Sequence, residues 1–146
     1  MPTPTAPSAF DERRRQAHAA LRTGRAATAE RMLRALEAQS PGEVNCLWLL
    51  GVALLDQDRI PESIDALERA LQRAPAFPDA RVDLSRAYRR NGRAAQAREE
   101  VRQVLEKHPH HQRAWLAYGD VLVELGQYGD ARIAFERARL TDPERA

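Results

Sequence analysis

A chain of 146 residues can hold one ordinary domain or one short array of repeats, and it is too short for several independent domains. Charged residues make up 30% and aromatics only 5%, and the apolar fraction leans on Ala and Leu, a mixture that favours helix and argues against sheet. The net charge of +2 makes no case for nucleic acid. The single cysteine, Cys46, excludes an internal disulfide framework and points to a reducing compartment, for which the cytoplasm is the default.

From the N-terminus, Met1 to Ala9 has neither a basic n-region nor an apolar h-region, so no signal peptide is read there. Its prolines and small polar residues predict a disordered leader over 1–9. No window approaches transmembrane length, and no membrane partner is expected. The basic residues are nearly all Arg, with Lys107 the one lysine, which reads as GC-rich bacterial codon usage before it reads as function.

Self-similarity sets the architecture beyond the leader. Pro41, Pro75, Pro109 and Pro143 recur every 34 residues, and Gly24, Asp58, Gly92 and Gly126 recur with the same period, each seventeen residues before its proline. Glycine closes a helix in the left-handed conformation, Asp is among the few other residues that tolerate it, and proline cannot continue the helix before it. The prediction is an all-α chain of four units, 10–43, 44–77, 78–111 and 112–145, each with a first helix A and a second helix B. The eighth residues (Ala17, Gly51, Ser85, Gly119) and the twentieth (Ala29, Ser63, Ala97, Ala131) are all small, marking the closest approach of A and B. Leu47, Leu50, Leu54, Leu84, Tyr88, Trp115, Tyr118 and Leu122 on the A helices, with Leu33, Leu67, Val101 and Phe135 on the B helices, are the expected core.

The last unit reads Trp115-x-x-Tyr118-Gly119-x-x-Leu122, then Ala131-x-x-x-Phe135-x-x-Ala138, then Pro143, and in this it resembles the tetratricopeptide repeat. The second unit fits with Ser63 for the usual Ala, the third carries Arg81 where a large apolar residue is expected, and the first has Arg13 and Gln16 at apolar positions of helix A. A polar outer helix suits an N-terminal capping unit. The resemblance implies a right-handed superhelix, an α-α solenoid whose A helices line a concave groove through their second, fifth, ninth, twelfth and thirteenth positions. Those positions are Asp11, Arg14, His18, Leu21 and Arg22; Asn45, Trp48, Val52, Leu55 and Asp56; Asp79, Val82, Arg86, Arg89 and Arg90; and Arg113, Leu116, Asp120, Val123 and Glu124.

The candidate partner-binding residues are accordingly Trp48, Val52, Leu55, Val82 and Leu116 as an apolar strip, and Arg86, Arg89, Arg90 and Arg113 as receivers of a carboxylate or phosphate. Each has a plainer alternative. Trp48 also suits packing across neighbouring A helices, and the arginines also suit a solvated face neutralised by Asp79, Asp83 and Glu124.

Other motifs carry less. Lys107-His108-Pro109-His110-His111 falls at an inter-repeat turn without Cys, Asp or Glu at ligand spacing, so a polar loop is read there and no metal. Arg13-Arg14-Arg15 follows Asp11-Glu12 and reads as helix surface. Cys46 reads as a buried small hydrophobe, and no phosphate loop, nucleophile elbow or HExxH pattern occurs, so no catalytic residue and no cofactor is expected.

The function this predicts is a protein-protein interaction scaffold that holds a peptide or protein segment in the groove. The alternative is the N-terminal recognition arm of a larger bacterial transferase, because the runs Leu50 to Leu55 and Ala74 to Ala80 are similar to the repeats of bacterial sulfotransferases and related glycosyltransferases. The last B helix, with Ile133, Ala134 and Phe135, is expected to be uncapped, either continuing into further chain or self-associating.

Overall fold

The computed structural model describes residues 8–141. Among them stand eight helices and no strand: α1 Ala9–Arg22, α2 Ala26–Gln39, α3 Val44–Asp56, α4 Ile60–Arg73, α5 Pro78–Arg90, α6 Ala94–Lys107, α7 Gln112–Glu124 and α8 Tyr128–Leu140. The odd-numbered helices are the A helices, and the even-numbered ones start 34 residues apart, at Ala26, Ile60, Ala94 and Tyr128. The chain divides into two compact units, one ending at Pro75 and the other beginning at Ala76, each holding two helical hairpins.

The first helix starts earlier than the leader boundary predicts. Ser8 is its N-cap, its hydroxyl accepting the Asp11 N–H at 3.1 Å, and Ala9 is the first residue of α1. The remainder of the leader, residues 1–7, and the fourth proline, Pro143, lie outside the described residues. Two other A helices are capped by less usual side chains. The Glu43 carboxylate accepts the Cys46 N–H at 2.7 Å, and His111 Nδ1 accepts the Ala114 N–H at 3.1 Å. His111 Nε2 stands 3.1 Å from Asp79 Oδ1, and the two bonds together require the tautomer that carries its hydrogen on Nε2.

Each A-to-B turn closes in the same way. Gly24, Asp58, Gly92 and Gly126 have φ of 77°, 61°, 77° and 75°, and Asp58 is the one described non-glycine residue at positive φ. The following N–H reaches back to a carbonyl five residues earlier: Arg25 to Ala20, Arg59 to Leu54, Arg93 to Tyr88 and Gln127 to Leu122, at 2.8–2.9 Å. The left-handed residue itself donates three residues back, at 3.0–3.2 Å. This is a Schellman closure repeated four times, which satisfies carbonyls the helix end would otherwise leave open.

Small residues set the distance between paired helices. Gly51 and Gly119 lie so close to the facing B helix that a Cβ would stand 2.5 Å from Leu67 Cγ in the first case and would overlap the Phe135 ring edge in the second. Where one partner is serine, its hydroxyl finds a backbone carbonyl across the pair: Ser63 Oγ donates to Gly51 O at 2.6 Å, and Ser85 Oγ to Ala97 O at 2.8 Å. Both serines are fully buried, and both are satisfied.

Successive hairpins stack by a second set of positions. In α3, Cys46, Leu49 and Ala53 are buried in one cluster with Leu33 and Leu36 of α2. In α7, Ala114 and Ala117 are buried with Val101, Val104 and Leu105 of α6. The matching positions of α1 are Glu12, Arg15 and Ala19, all exposed, with Glu12 and Arg15 paired at 3.9 Å. Trp115 and Phe135 join the last cluster around Leu122, where Trp115 Nε1 donates to the Pro109 carbonyl at 2.7 Å and Arg137 lies over the ring at 5.2 Å.

One polar network ties the two hairpins of the first unit together. Glu30 of α2, its side chain 12% exposed, accepts from Arg34 at 2.8 Å, from Gln57 at 3.0 Å and from Arg59 at 2.7 Å. Arg59 continues to Glu62 of α4 at 2.6 Å. Burial pushes the Glu30 carboxyl up, but the hydrogen bonds from Arg34, Gln57 and Arg59 outweigh it and hold the group below its ordinary value.

Candidate functional site

The surfaces expected to meet a partner are the outward positions of the A helices, and each unit presents its own. In the first unit, Trp48 of α3 meets His18 of α1 edge to face, with ring centroids 5.7 Å apart and planes at 72°. Trp48 and Val52 are half-buried, resting on the core with one side still open, and His18 is exposed. Leu55, placed by register on this face, is 0% exposed and belongs to the core instead. Leu21 is nearly as buried. The α1–α3 face therefore offers an apolar and aromatic step made of His18, Trp48 and Val52.

Charged groups edge that step and are largely self-paired. Arg14 lies 3.4 Å from Asp11 and 3.7 Å from Glu43, and the Asn45 amide donates to Glu43 at 3.3 Å. Burial pushes the Glu43 carboxyl up, and the hydrogen bonds from Cys46 and Asn45 overcome this and lower it. Cys46 is buried, and burial together with the neighbouring Glu43 pushes its thiol up to about 12, which suits a core side chain and not a nucleophile.

In the second unit the apolar strip shrinks and the arginines are already engaged. Val82 is fully buried among Val101, Val104 and Leu105, so it offers no surface, while Leu116 keeps 43% of its surface exposed. Arg86 pairs with Asp83 at 2.9 Å, Arg113 with Asp83 at 2.6 Å and Asp79 at 3.3 Å, and Arg89 with Glu124 at 3.0 Å. Asp83 has no exposed surface at all, and two guanidinium groups converge on it. Arg90 is exposed. Of the two readings open for these arginines, internal neutralisation describes Arg86, Arg89 and Arg113.

The repeat resemblance implies a groove-facing direction for Leu55 and Val82, but it does not fix how far the neighbouring helices rise around them, and both side chains are enclosed. Sequence reasoning could not anticipate the His18–Trp48 contact, which joins two helices with no sequence signal linking them. Among the described residues no group of three His, Cys, Asp or Glu could hold a metal ion, and no helix is long and apolar enough to cross a membrane.

A fourfold register of paired helices, small residues at each crossing and a Schellman turn in each hairpin define an α-α helical-repeat solenoid. A model of the tetratricopeptide repeat matches residues 14–80 and 82–145, and a second model of the same repeat matches 54–108. The chain belongs to the tetratricopeptide repeat family.

Among curated proteins it is similar to human protein O-mannosyl-transferase TMTC1, 26% identical over 83% of this chain and 14% of that protein. It is also similar to ER membrane protein complex subunit 2 of Xenopus tropicalis, 29% identical over 86% of this chain and 42% of that protein. The chain thus spans less than half the length of either relative. Among solved structures it shares its fold with a thermophilic tetratricopeptide repeat protein of Thermus thermophilus, with a TM-score of 0.85, 19% identity, and 92% of this chain and 75% of that one covered. MamA superposes with a TM-score of 0.75 at 20% identity, over 94% of this chain and 80% of that one. Arrays of this family commonly serve as protein-interaction scaffolds and are typically non-catalytic.

Proposed function

We propose that this chain binds a protein or peptide segment through its A-helix faces, with an apolar side chain of the partner seated against Trp48, Val52 and His18. The observation that carries this is the half-open Trp48: a large ring held by the core on one side and by His18 at its edge is pre-organised, so little side-chain entropy is left to lose on binding. The second unit presents an exposed apolar side chain of its own, Leu116. Arg86, Arg89 and Arg113 set charge around their face, but an acidic group on the ligand must compete with Asp79, Asp83 and Glu124 for them.

Peptides selected from a random phage-displayed library against this chain test the assignment. Trp48→Ala is expected to weaken a selected peptide by about 1–2 kcal/mol, roughly five- to thirtyfold, with little dependence on salt, because the lost contact is desolvated. Arg89→Ala should cost no more than about 1 kcal/mol and only at low ionic strength, since an exposed pair is screened within a Debye length. Arg102→Ala, on the exposed Glu99 pair of α6, serves as the control. If Arg102→Ala lowers affinity while Trp48→Ala and Leu116→Ala leave it unchanged, the A-helix faces are not the site.

A second reading rests on the likeness to a segment of a protein O-mannosyl-transferase. In it, the same faces would select or orient the protein substrate of a larger transferase. Attaching the selected peptides to candidate acceptor proteins and following modification by the parent enzyme separates the two readings.

A further inference from the structure

Before the last hairpin no described large apolar side chain is more than partly exposed. The five described ones that remain well exposed, Leu116, Val123, Tyr128, Ile133 and Leu140, all belong to α7 and α8. A hollow of about 450 Å³ along α8 is lined by Val123, Tyr128 and Phe135, with Arg132, Glu136 and Arg139 at its edge. A second hollow on the other flank of α8 is lined by Gly129, Ile133 and Arg137, and it shares Arg132 and Glu136 with the first. These two charged residues, one helical turn apart, form the ridge between the hollows.

The repeat register shows what sits in the first hollow elsewhere. Ala131, Phe135 and Ala138 of α8 correspond to Ala29, Leu33 and Leu36 of α2, three periods earlier, and in α2 those residues share a buried cluster with Cys46, Leu49 and Ala53 of α3. The hollow is therefore the place an A helix takes in an inner repeat. It is not an exact copy: Arg139 stands where Leu71 and Leu105 are buried, so its occupant must meet charge as well as apolar surface.

We propose that a second copy of this chain packs across the Arg132–Glu136 ridge and covers both hollows, with α8 antiparallel against α8 about a two-fold axis. Antiparallel pairing brings Arg132 of one copy to Glu136 of the other and the reverse, adding a second cation to each carboxylate that Arg139 already holds within its own helix. It also lays Leu140, 70% exposed, over Gly129, where no atom lies within 4 Å of a Cβ position. An open head-to-tail stack is disfavoured by α1, whose stacking positions are the exposed ion pair Glu12–Arg15 and Ala19 in place of the buried apolar residues of α3 and α7. Burying that pair under α8 would strip two charges of water and make them exchange partners with a face whose own charges are already paired, Glu136 with Arg139. The isologous contact closes at two copies.

Sedimentation equilibrium of the full chain, from low micromolar to hundreds of micromolar, reads this directly. The expected result is a rise from monomer mass that saturates at twice the monomer. Ile133→Glu should abolish the dimer while the helical circular dichroism stays unchanged. Arg132→Glu and Glu136→Arg should each weaken dimerisation at least tenfold, and the double exchange should restore it. A monomer at every concentration, including one in which a terminal segment covers the hollow, overturns the proposal. So does growth past two copies, or a dimer indifferent to Ile133→Glu and to the charge exchange.

Discussion

Gly51→Ala is expected to destabilise the chain, although alanine is the better helix former. Removing glycine from a helix interior gains about 1 kcal/mol. Against this, the new methyl would stand 2.5 Å from Cγ of Leu67, a fully buried branch point that cannot swing away, and overpacking of that kind costs about 1–3 kcal/mol. Leu67→Ala alone should cost about 2–5 kcal/mol through the cavity it leaves. The two should be strongly non-additive, because Leu67→Ala removes the atoms that the Gly51→Ala methyl meets. Gly119→Ala should be milder, since the obstructing atoms are the far edge of the Phe135 ring, which is only half-buried and free to tilt. Urea midpoints of the helical signal for the three single variants and the Gly51/Leu67 double variant decide the matter. A Gly51→Ala chain as stable as the parent would mean that the α3–α4 spacing relaxes more readily than its packing indicates.

Glu30→Gln is expected to cost about 2 kcal/mol at neutral pH, because hydrogen bonds from three partners to a mostly buried carboxylate, two of the partners being guanidinium groups, are weakened at once. The pH dependence has a definite sign. Glu30 titrates below its ordinary value of 4.5 in the folded chain, so the unfolded chain takes up the proton first as acid is added. The stabilisation is complete above about pH 4.5 and is lost as pH falls through the lower folded value. Urea midpoints of parent and Glu30→Gln should therefore converge as pH drops from 7 toward 3. A gap independent of pH would mean that the carboxylate's charge contributes nothing to the strut.

What could be read before the structure follows from the range of the interactions involved. The turns were legible because a left-handed residue and a helix-ending proline act on their immediate neighbours. Even the irregular member, Asp58, sits at φ 61° in the glycine series. The crossing points were legible because small residues at the eighth and twentieth positions are a local demand of close packing, and Ser63 and Ser85 satisfy it with a hydroxyl turned to the opposite backbone. The candidate surface was only partly legible. Periodicity gives the direction of a Cβ but not how far neighbouring helices rise around it, so Leu55 and Val82 were placed outside when both are core. The arginines of α5 and α7 were visible as a cluster, and their candidate neutralisers were in view. Which carboxylate each one takes depends on rotamers that a one-dimensional pattern does not contain. The Glu30 network joins residues 27 and 29 positions apart and left no periodic trace.

Cys46 gives the molecule a reporter of its own opening. With its thiol pushed up to about 12 by burial and by Glu43, Cys46 carries almost no thiolate near neutral pH, and its sulfur is shielded by the cluster that holds α3 against α2. An alkylating reagent can reach the sulfur at an ordinary rate only when α3 lifts away from α2. The rate of labelling, divided by that of an unstructured cysteine peptide, thus measures how often the first unit breathes, without any added probe.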